Sequence, residues 1–456
     1  MEGRGIVEEE GETARTTWLC VCLGGFHAEG SALLRWLGSQ QRTFGLWRMT
    51  AVLRDRERRC QDVVFSTHYS KVCQWFGWIR ITPNADWNAE ITLRVETAQP
   101  GGSTRTENAV ARGCTAFTNV RERLRSKETM ADLRVPMYGT DGTCCGTAHV
   151  ILQLDEIHHW RPEQLDRGIL IGIGAYGTVQ LMRERDTGTR HAVKSVVHSL
   201  PEEEQSEGVT ERMILERFKH PFLVQLDGWL ENPRETTLFM RFAAQGDLFS
   251  VEHAQELNEE ALMHVTAELL DVLDFLHANG VLHNDIKPEN VLITSTGHVA
   301  LSDFGMASTI SSENSANNNN NCRPSCHRLL YSSHFSGSPD FIAPELLRGE
   351  CGPNTATDMW SLGVLLYEMA SGTLPYTGSP SQKIQAIKSP DSVPPLRPQS
   401  TLSHACIAFI MTLLEKNYNN RIQCAQDAKR HDWLNKVQWN LLPRKVLTSP
   451  IRRRTT

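Results

Sequence analysis

The 456-residue chain has no apolar run of the ~20 residues that a membrane-spanning helix needs. The stretch near the start that comes nearest, residues 18–25, follows Glu8, Glu9, Glu10 and Glu12 instead of a positively charged leader. Neither a signal peptide nor a transmembrane helix is expected, and an intracellular, cytoplasmic location follows. Matched cysteine pairs are also missing. The 12 Cys are scattered, and the close pairs Cys20/Cys22, Cys144/Cys145 and Cys322/Cys326 have no second pair at a fitting distance, so neither a disulfide framework nor a zinc-finger site is read. A basic surplus is lacking too. With 47 Lys+Arg against 53 Asp+Glu the formal charge is −6, which excludes a general nucleic-acid binder.

What is present is unevenly distributed. Residues 1–160 hold 19 basic and 19 acidic residues, with Lys71 and Lys127 their only lysines, and seven of the 11 Trp: Trp18, Trp36, Trp47, Trp75, Trp78, Trp87 and Trp160. The whole negative charge therefore belongs to residues 161–456. Residues 1–20 form an acidic segment that is expected to be disordered. Residues 73–95 and 133–154 alternate apolar and polar residues between turn signals such as Pro83-Asn84, Pro100-Gly101-Gly102 and Asp141-Gly142, the pattern of short strands. Residues 21–160 thus read as a small β-rich module, and the stretch 132–154 resembles the closing strands of a calcium- and lipid-binding β-sandwich.

The character changes after residue 160. Gly172, Gly174 and Gly177 lie between two β-type runs, so this glycine-rich stretch turns a hairpin and does not open a helix as a dinucleotide fingerprint would. Such a hairpin can lay backbone N–H groups over phosphates. Lys194 follows on a further strand. The segment 210–226 has helical apolar spacing as far as His220-Pro221, with Glu211 near its start and able to reach Lys194. A helix over 259–278 precedes His283-Asn284-Asp285-Ile286-Lys287-Pro288-Glu289-Asn290 and the strand 291–293. Strand 299–301 precedes Asp303-Phe304-Gly305, and Ala343-Pro344-Glu345 comes later.

Five motifs in this order resemble the eukaryotic-type Ser/Thr protein kinases, over residues 166–434. The resemblance implies an α+β, bilobal fold with a β-rich small lobe (166–241), a mainly helical large lobe (244–434) and a basic tail (435–456). It implies ATP and Mg²⁺ as cofactors and proteins as substrates. Asp285 would orient or accept the substrate hydroxyl proton, Lys287 would offset charge on the moving phosphoryl group, Lys194 would bind phosphates, and Glu211 would fix Lys194. Asn290 and Asp303 would be the metal ligands. Contacts to the nucleotide would come from Ile171, Gly172, Ile173, Gly174, Ala175, Tyr176, Gly177, Val179, Ala192, Met240, Arg241, Ala243, Asp247, Glu289 and Leu292. Lys287 and Pro288-Glu289 after Asp285 match the Ser/Thr-specific pattern, and residues 211–226 with the end of the chain are most similar to the AGC group. Asp358 would support the catalytic loop, and Arg421 would pair with Glu345.

Two departures stand out. Asn284 occupies the place where the family has an Arg that pairs with a phosphorylated activation loop, so that contact is not expected to be required here. The segment from Asp303 to Glu345 is long and interrupted by an Asn run at 317–321, which reads as a disordered insertion. Arg444, Lys445, Arg452, Arg453 and Arg454 read as a solvated tail, with peripheral contact to acidic lipids or a partner as the alternative. Glu289 and Asp247 suggest an acidic approach to the cleft and basic residues beside the target hydroxyl. The rival functional reading is a pseudokinase, a nucleotide-binding scaffold. The complete set of charged motif residues favours the enzyme.

Overall fold

The structure, a computed structural model, describes residues 6–10, 13–28, 46–55, 63–66, 78–81, 87–98, 105–117, 130–139, 142, 144–159, 164–166, 168–174, 177–198, 207–232, 234–254, 257–309, 339–394, 402–446 and 448–451. It divides into two compact units. The first comprises Met1–Leu165, Met213–Pro221 and Gln225–Leu230, and the second comprises Asp166–Arg212, Phe222–Val224 and Glu231–Thr456.

Long antiparallel strands make up the first unit. Thr13–Ala28 pairs with Cys144–His159, which pairs in turn with Met130–Gly139. Arg105–Phe117, Trp87–Ala98, Leu46–Asp55 and Val63–Ser66 continue the ladder. Alternate residues supply its core, as a period of two dictates: Ala51 and Leu53, Ala89 and Ile91, Val135 and Met137, and Ala148, Val150 and Leu152 are all buried. Gly142, in the expected turn between Gly139 and Cys144, has φ +78°. The β-rich reading of this region holds. Where disorder is expected in residues 1–20, the structure has Ile6–Glu10 paired with the beginning of Thr13–Ala28. The segment 218–219 departs from expectation as well. The helix Glu207–Arg217 ends three residues short of His220, because Phe218 and Lys219 pair antiparallel with Ile79 and Trp78. Gly228 lies parallel to His158 in the same unit.

The second unit begins with the antiparallel strands Ile169–Ile173, Gly177–Arg183, Arg190–Val197 and Glu235–Arg241. Its helical part is built around Glu259–Ala278 and Thr355–Ser371. Asn258 caps the first, its side chain accepting from the Ala261 N–H at 2.9 Å, and Glu259 and Glu260 complement the helix dipole. Asn354 and Thr357 form a capping box on the second, which ends at Gly372 in the left-handed region with φ +69°. Both helices bury residues around nearly their whole circumference, as core helices do. The hairpin Val291–Ile293/Val299–Leu301 follows the catalytic-loop sequence. The end of the chain departs from the solvated tail expected of it: Ile451 is fully buried, and Ser449 donates through Oγ to Gly297 O at 2.7 Å. Leu442 and Pro443 of the same segment are buried as well. Arg452, Arg453 and Arg454, the Asn run at 317–321, and Ala175 and Tyr176 lie outside the described residues.

Candidate active site

Strand register builds one wall of the site. Val179 pairs with Lys194 and Lys194 with Leu238, while Leu181 pairs with Ala192 and Ala192 with Met240. Directly paired residues share a face, so Val179, Ala192, Lys194 and Met240 line the same side of the sheet. Gly172 pairs with Val179 beside a register shift. A Cβ at Gly172 or Gly174 would meet its neighbours at ordinary van der Waals distance, 3.6 Å from Val179 and 3.8 Å from Gly177 O respectively. Gly177 is different: its Cβ would lie 1.9 Å from Ser195 O, so only glycine permits this strand to pass its neighbour. Gly177→Ala is therefore expected to destabilise the protein by about 1–3 kcal/mol, with Gly174→Ala close to neutral. Thermal unfolding of the two variants checks this. Ile171 and Ile173 on the edge strand are exposed.

Lys194 is the hub of the charged groups. Its Nζ lies 2.7 Å from Glu211 Oε2 and 2.8 Å from Asp303 Oδ1. Glu211, on the helix Glu207–Arg217, is buried, and its other oxygen accepts from the Phe304 N–H at 3.4 Å. Burial opposes the lysine charge, but the two carboxylates outweigh it and hold the ammonium above the usual lysine range. Burial likewise works against Asp303, and the Lys194 charge overrides it, keeping this carboxyl below the usual range. Asp303 has φ +63°, and the Gly305 N–H reaches its Oδ1 at 3.4 Å.

The catalytic-loop residues assemble around Asp285. Lys287 Nζ donates to Asp285 Oδ2 at 2.7 Å, and Asn290 Nδ2 donates to Asp285 O and Oδ2 at 2.7 and 2.8 Å. The side-chain nitrogen of Asn290 is thus committed, which leaves its side-chain Oδ1 for another partner. Ser302 ties this loop to the strand before Asp303, its N–H and Oγ both donating to Asn290 O at 2.9 Å. Asp358, in the first turn of Thr355–Ser371 and fully buried, accepts from the His283 and Asn284 N–H groups at 3.0 and 2.9 Å and contacts His277 Nε2 at 2.7 Å. Burial would raise its pKa, but these partners bring it below the usual carboxylate range. His283 receives the Asp285 N–H at Nδ1 and meets Ser302 O through Nε2, which fits one neutral tautomer, and burial depresses its pKa in agreement.

The remaining expected residues have defined places. Met240 and Ala243 are buried and Arg241 is exposed where strand Glu235–Arg241 ends. Asp247 bridges to Leu292, and its Oδ1 accepts from the Ser250 N–H at 2.7 Å, so its second oxygen is the one left for a ligand. Glu289 is exposed in the turn Pro288–Asn290. Asn284, with φ +64°, donates through Nδ2 to Met306 O and Ser308 Oγ, both at 2.9 Å. Sequence reasoning did not foresee this tether, nor the Lys194–Asp303 contact, which joins positions 109 residues apart.

Comparison with known proteins agrees with the geometry. The protein kinase domain model matches residues 165–434. The serine/threonine-protein kinase AtPK2/AtPK19 of Arabidopsis thaliana is 34% identical over 280 residues, covering 60% of this chain and 55% of its own length. A cAMP-dependent protein kinase catalytic subunit-like protein of Caenorhabditis elegans is 30% identical over 286 residues, 61% of this chain and 66% of its own. A RAC family serine/threonine-protein kinase homolog of Dictyostelium discoideum is 29% identical over 289 residues, 62% and 60% respectively. The chain thus spans little more than half the length of the Arabidopsis relative. No helix among the described residues is long and apolar enough to cross a membrane. With the ordered motifs, the Lys194–Glu211 pair and the loop around Asp285 in one unit, and the match extending over more than half its length, the chain belongs to the protein kinase domain family.

Proposed function

We propose that the protein transfers the γ-phosphoryl group of Mg-ATP to Ser or Thr hydroxyls of proteins that carry basic residues beside the target. The observation that carries this reading is the single ammonium of Lys194 held between Glu211 and Asp303. Such an arrangement fixes a cation where phosphate oxygens need one. Asp303 and the side-chain Oδ1 of Asn290 are the hard oxygen donors that Mg²⁺ prefers, and the glycines at 172 and 174 carry no side chain to keep phosphates from the backbone. When bound, Mg²⁺ would neutralise charge on the transferred group. Asp285, oriented by Lys287 and Asn290, holds the acceptor hydroxyl and takes or directs its proton. Lys287 offsets charge building on the phosphoryl oxygens. The exposed Glu289 and the second oxygen of Asp247 favour basic side chains near the acceptor. The decisive assay measures γ-phosphate transfer to a basic Ser peptide by wild type, Asp285→Ala and Asp303→Ala. Transfer by wild type alone is expected. Equal signals from all three would refute the enzymatic reading, and nucleotide binding without transfer by wild type would assign the scaffold role.

Asn284 carries a second expectation. Its amide already holds Met306 and Ser308, the work that a phosphate and an arginine would otherwise share. Phosphatase treatment is expected to leave activity unchanged, and so are Ala replacements of the Ser and Thr residues at 309–336. Asn284→Ala is expected to lower the rate about tenfold, the loss of one or two ordinary hydrogen bonds. Rates of the treated and variant proteins check this, and rescue of activity by added phosphate would contradict it.

A further inference from the structure

We propose that the chain holds one divalent transition-metal ion, zinc foremost, at His264, Glu268 and His298, none of which belongs to the site described above. His264 and Glu268 stand one turn apart on the helix Glu259–Ala278, so they project from the same face. His298 is delivered by the hairpin, directly after Gly297, whose φ of +85° turns the chain toward that helix. One ligand atom from each residue lies within 4.8 Å of the other two. Glu268 Oε1 is 3.0 Å from His264 Nε2 and 2.5 Å from His298 Nδ1. Two imidazole nitrogens and one carboxylate oxygen form a donor set that suits zinc, with solvent as a fourth ligand.

Burial and orientation distinguish this group from a surface cluster. Glu268 is fully buried and His298 nearly so, while the His264 side chain, 11% exposed, sits at the rim where an ion and its water can enter. His264 Nε2 is buried and makes no aligned hydrogen bond, although Glu268 Oε1 is only 3.0 Å away. A ring that served as a hydrogen-bond donor would aim its N–H at that oxygen. Here His298 Nδ1 makes the hydrogen bond to that oxygen, and His264 Nε2 approaches it without one. The surroundings hold the ligands in place: Glu268 Oε2 accepts from the Val299 N–H at 2.8 Å, and Thr294 Oγ1 accepts from the His298 N–H at 3.1 Å. Zinc bonds of about 2.0–2.1 Å place tetrahedral ligand atoms roughly 3.3–3.4 Å apart, so Glu268 Oε1 would draw back from both ring nitrogens, by about 0.8 Å from His298 Nδ1. The bound ion would staple the helix Glu259–Ala278 to the hairpin Val291–Ile293/Val299–Leu301, whose flanks carry Asn290 and Asp303.

The test uses the full chain, stripped with chelator and titrated with Zn²⁺ in the absence of nucleotide and Mg²⁺, alongside His264→Gln. This variant keeps the Glu268–His298 contact and every residue of the candidate active site. Wild type is expected to bind one more equivalent than the variant and to gain thermal stability from it. In the variant that affinity should fall at least 100-fold, beyond the ~10–100-fold that loss of an outer-shell partner costs. Co²⁺ in place of Zn²⁺ should give visible d–d absorption in wild type that the variant lacks. Equal stoichiometry and affinity in the two folded proteins would overturn the proposal. X-ray absorption at the zinc edge of wild type keeps it testable should the variant not fold. Two imidazoles and oxygen in the shell support the site, whereas sulfur, an all-oxygen shell or no zinc uptake refutes it.

Discussion

Arg421→Ala is expected to destabilise the protein by about 3–5 kcal/mol, the cost of stranding one partner of a buried ion pair. Both side chains are essentially sealed from solvent, at 0% and 1% exposure. The guanidinium grips Glu345 with both arms, Nη1 to Oε1 at 2.6 Å and Nη2 to Oε2 at 2.8 Å. Its remaining donors are used as well: Nε reaches Glu415 O at 2.8 Å, and Nη1 also reaches Ala356 O at 3.1 Å. The guanidinium carbon lies 5.0 Å from the centre of the buried Trp360 ring. Truncation leaves the Glu345 carboxylate and two carbonyl oxygens without their donor, inside a region that water cannot reach. Arg421→Lys should recover only part of the loss, because a single ammonium cannot reproduce the fork. Replacing both partners by apolar residues, as in Arg421→Met with Glu345→Leu, should recover more than Lys does. Urea unfolding of the three variants measures these differences, and a loss below about 1 kcal/mol for Arg421→Ala would contradict the argument. None of these side chains touches Lys194, Asp285 or Asp303, so the folded fraction should keep its transfer rate.

That pairing was legible in the sequence, and so was most of the large lobe, because there the local signals agree with the tertiary structure. The helix expected over 259–278 has those bounds in the structure, with Asn258 capping its start. Asp285, Lys287, Asn290 and Asp303 are separated by fixed short spacings, and the fold brings them together as those spacings imply. What stayed hidden depends on contacts between distant segments. Nothing near Phe218 signals that the helix must stop there, since its partners Ile79 and Trp78 come from another part of the chain. The Asn284 tether to Met306 and Ser308 reads in the sequence only as a missing arginine. His264 and Glu268 show the i,i+4 spacing, yet His298 arrives from 30 residues further on, so the convergence becomes visible only in three dimensions. The docking of Ile451 was masked by the basic residues around it, which outweigh one apolar side chain in any reading by composition.

Lys194→Met is expected to lower the rate of phosphoryl transfer by about 10²–10³, the loss seen when one preorganised donor is removed from a developing charge. It should also destabilise the fold, and the two effects can be separated. Glu211 has 1% exposure and depends on Lys194 for its compensating charge, with the Phe304 N–H at 3.4 Å as a weak remaining donor. Stranding it should cost about 3 kcal/mol, at the lower end of the range for buried pairs because Lys194 itself keeps 18% exposure. Asp303 loses less, being 44% exposed and able to turn to water. Glu211→Gln keeps an acceptor for Lys194 without the buried charge, and Lys194 retains Asp303, so its rate should fall by about tenfold and its stability should change little. The double variant Lys194→Met, Glu211→Leu then decides the matter, since the two residues are in direct contact and their effects cannot add independently. It should regain most of the stability that Lys194→Met loses, because no carboxylate is left stranded, while transfer stays as low as in the single variant. Thermal unfolding and turnover at saturating ATP, measured on all four proteins, supply both axes. Recovery of transfer along with stability would mean that the lysine acts through folding alone; recovery of stability without transfer assigns the ammonium to the chemistry.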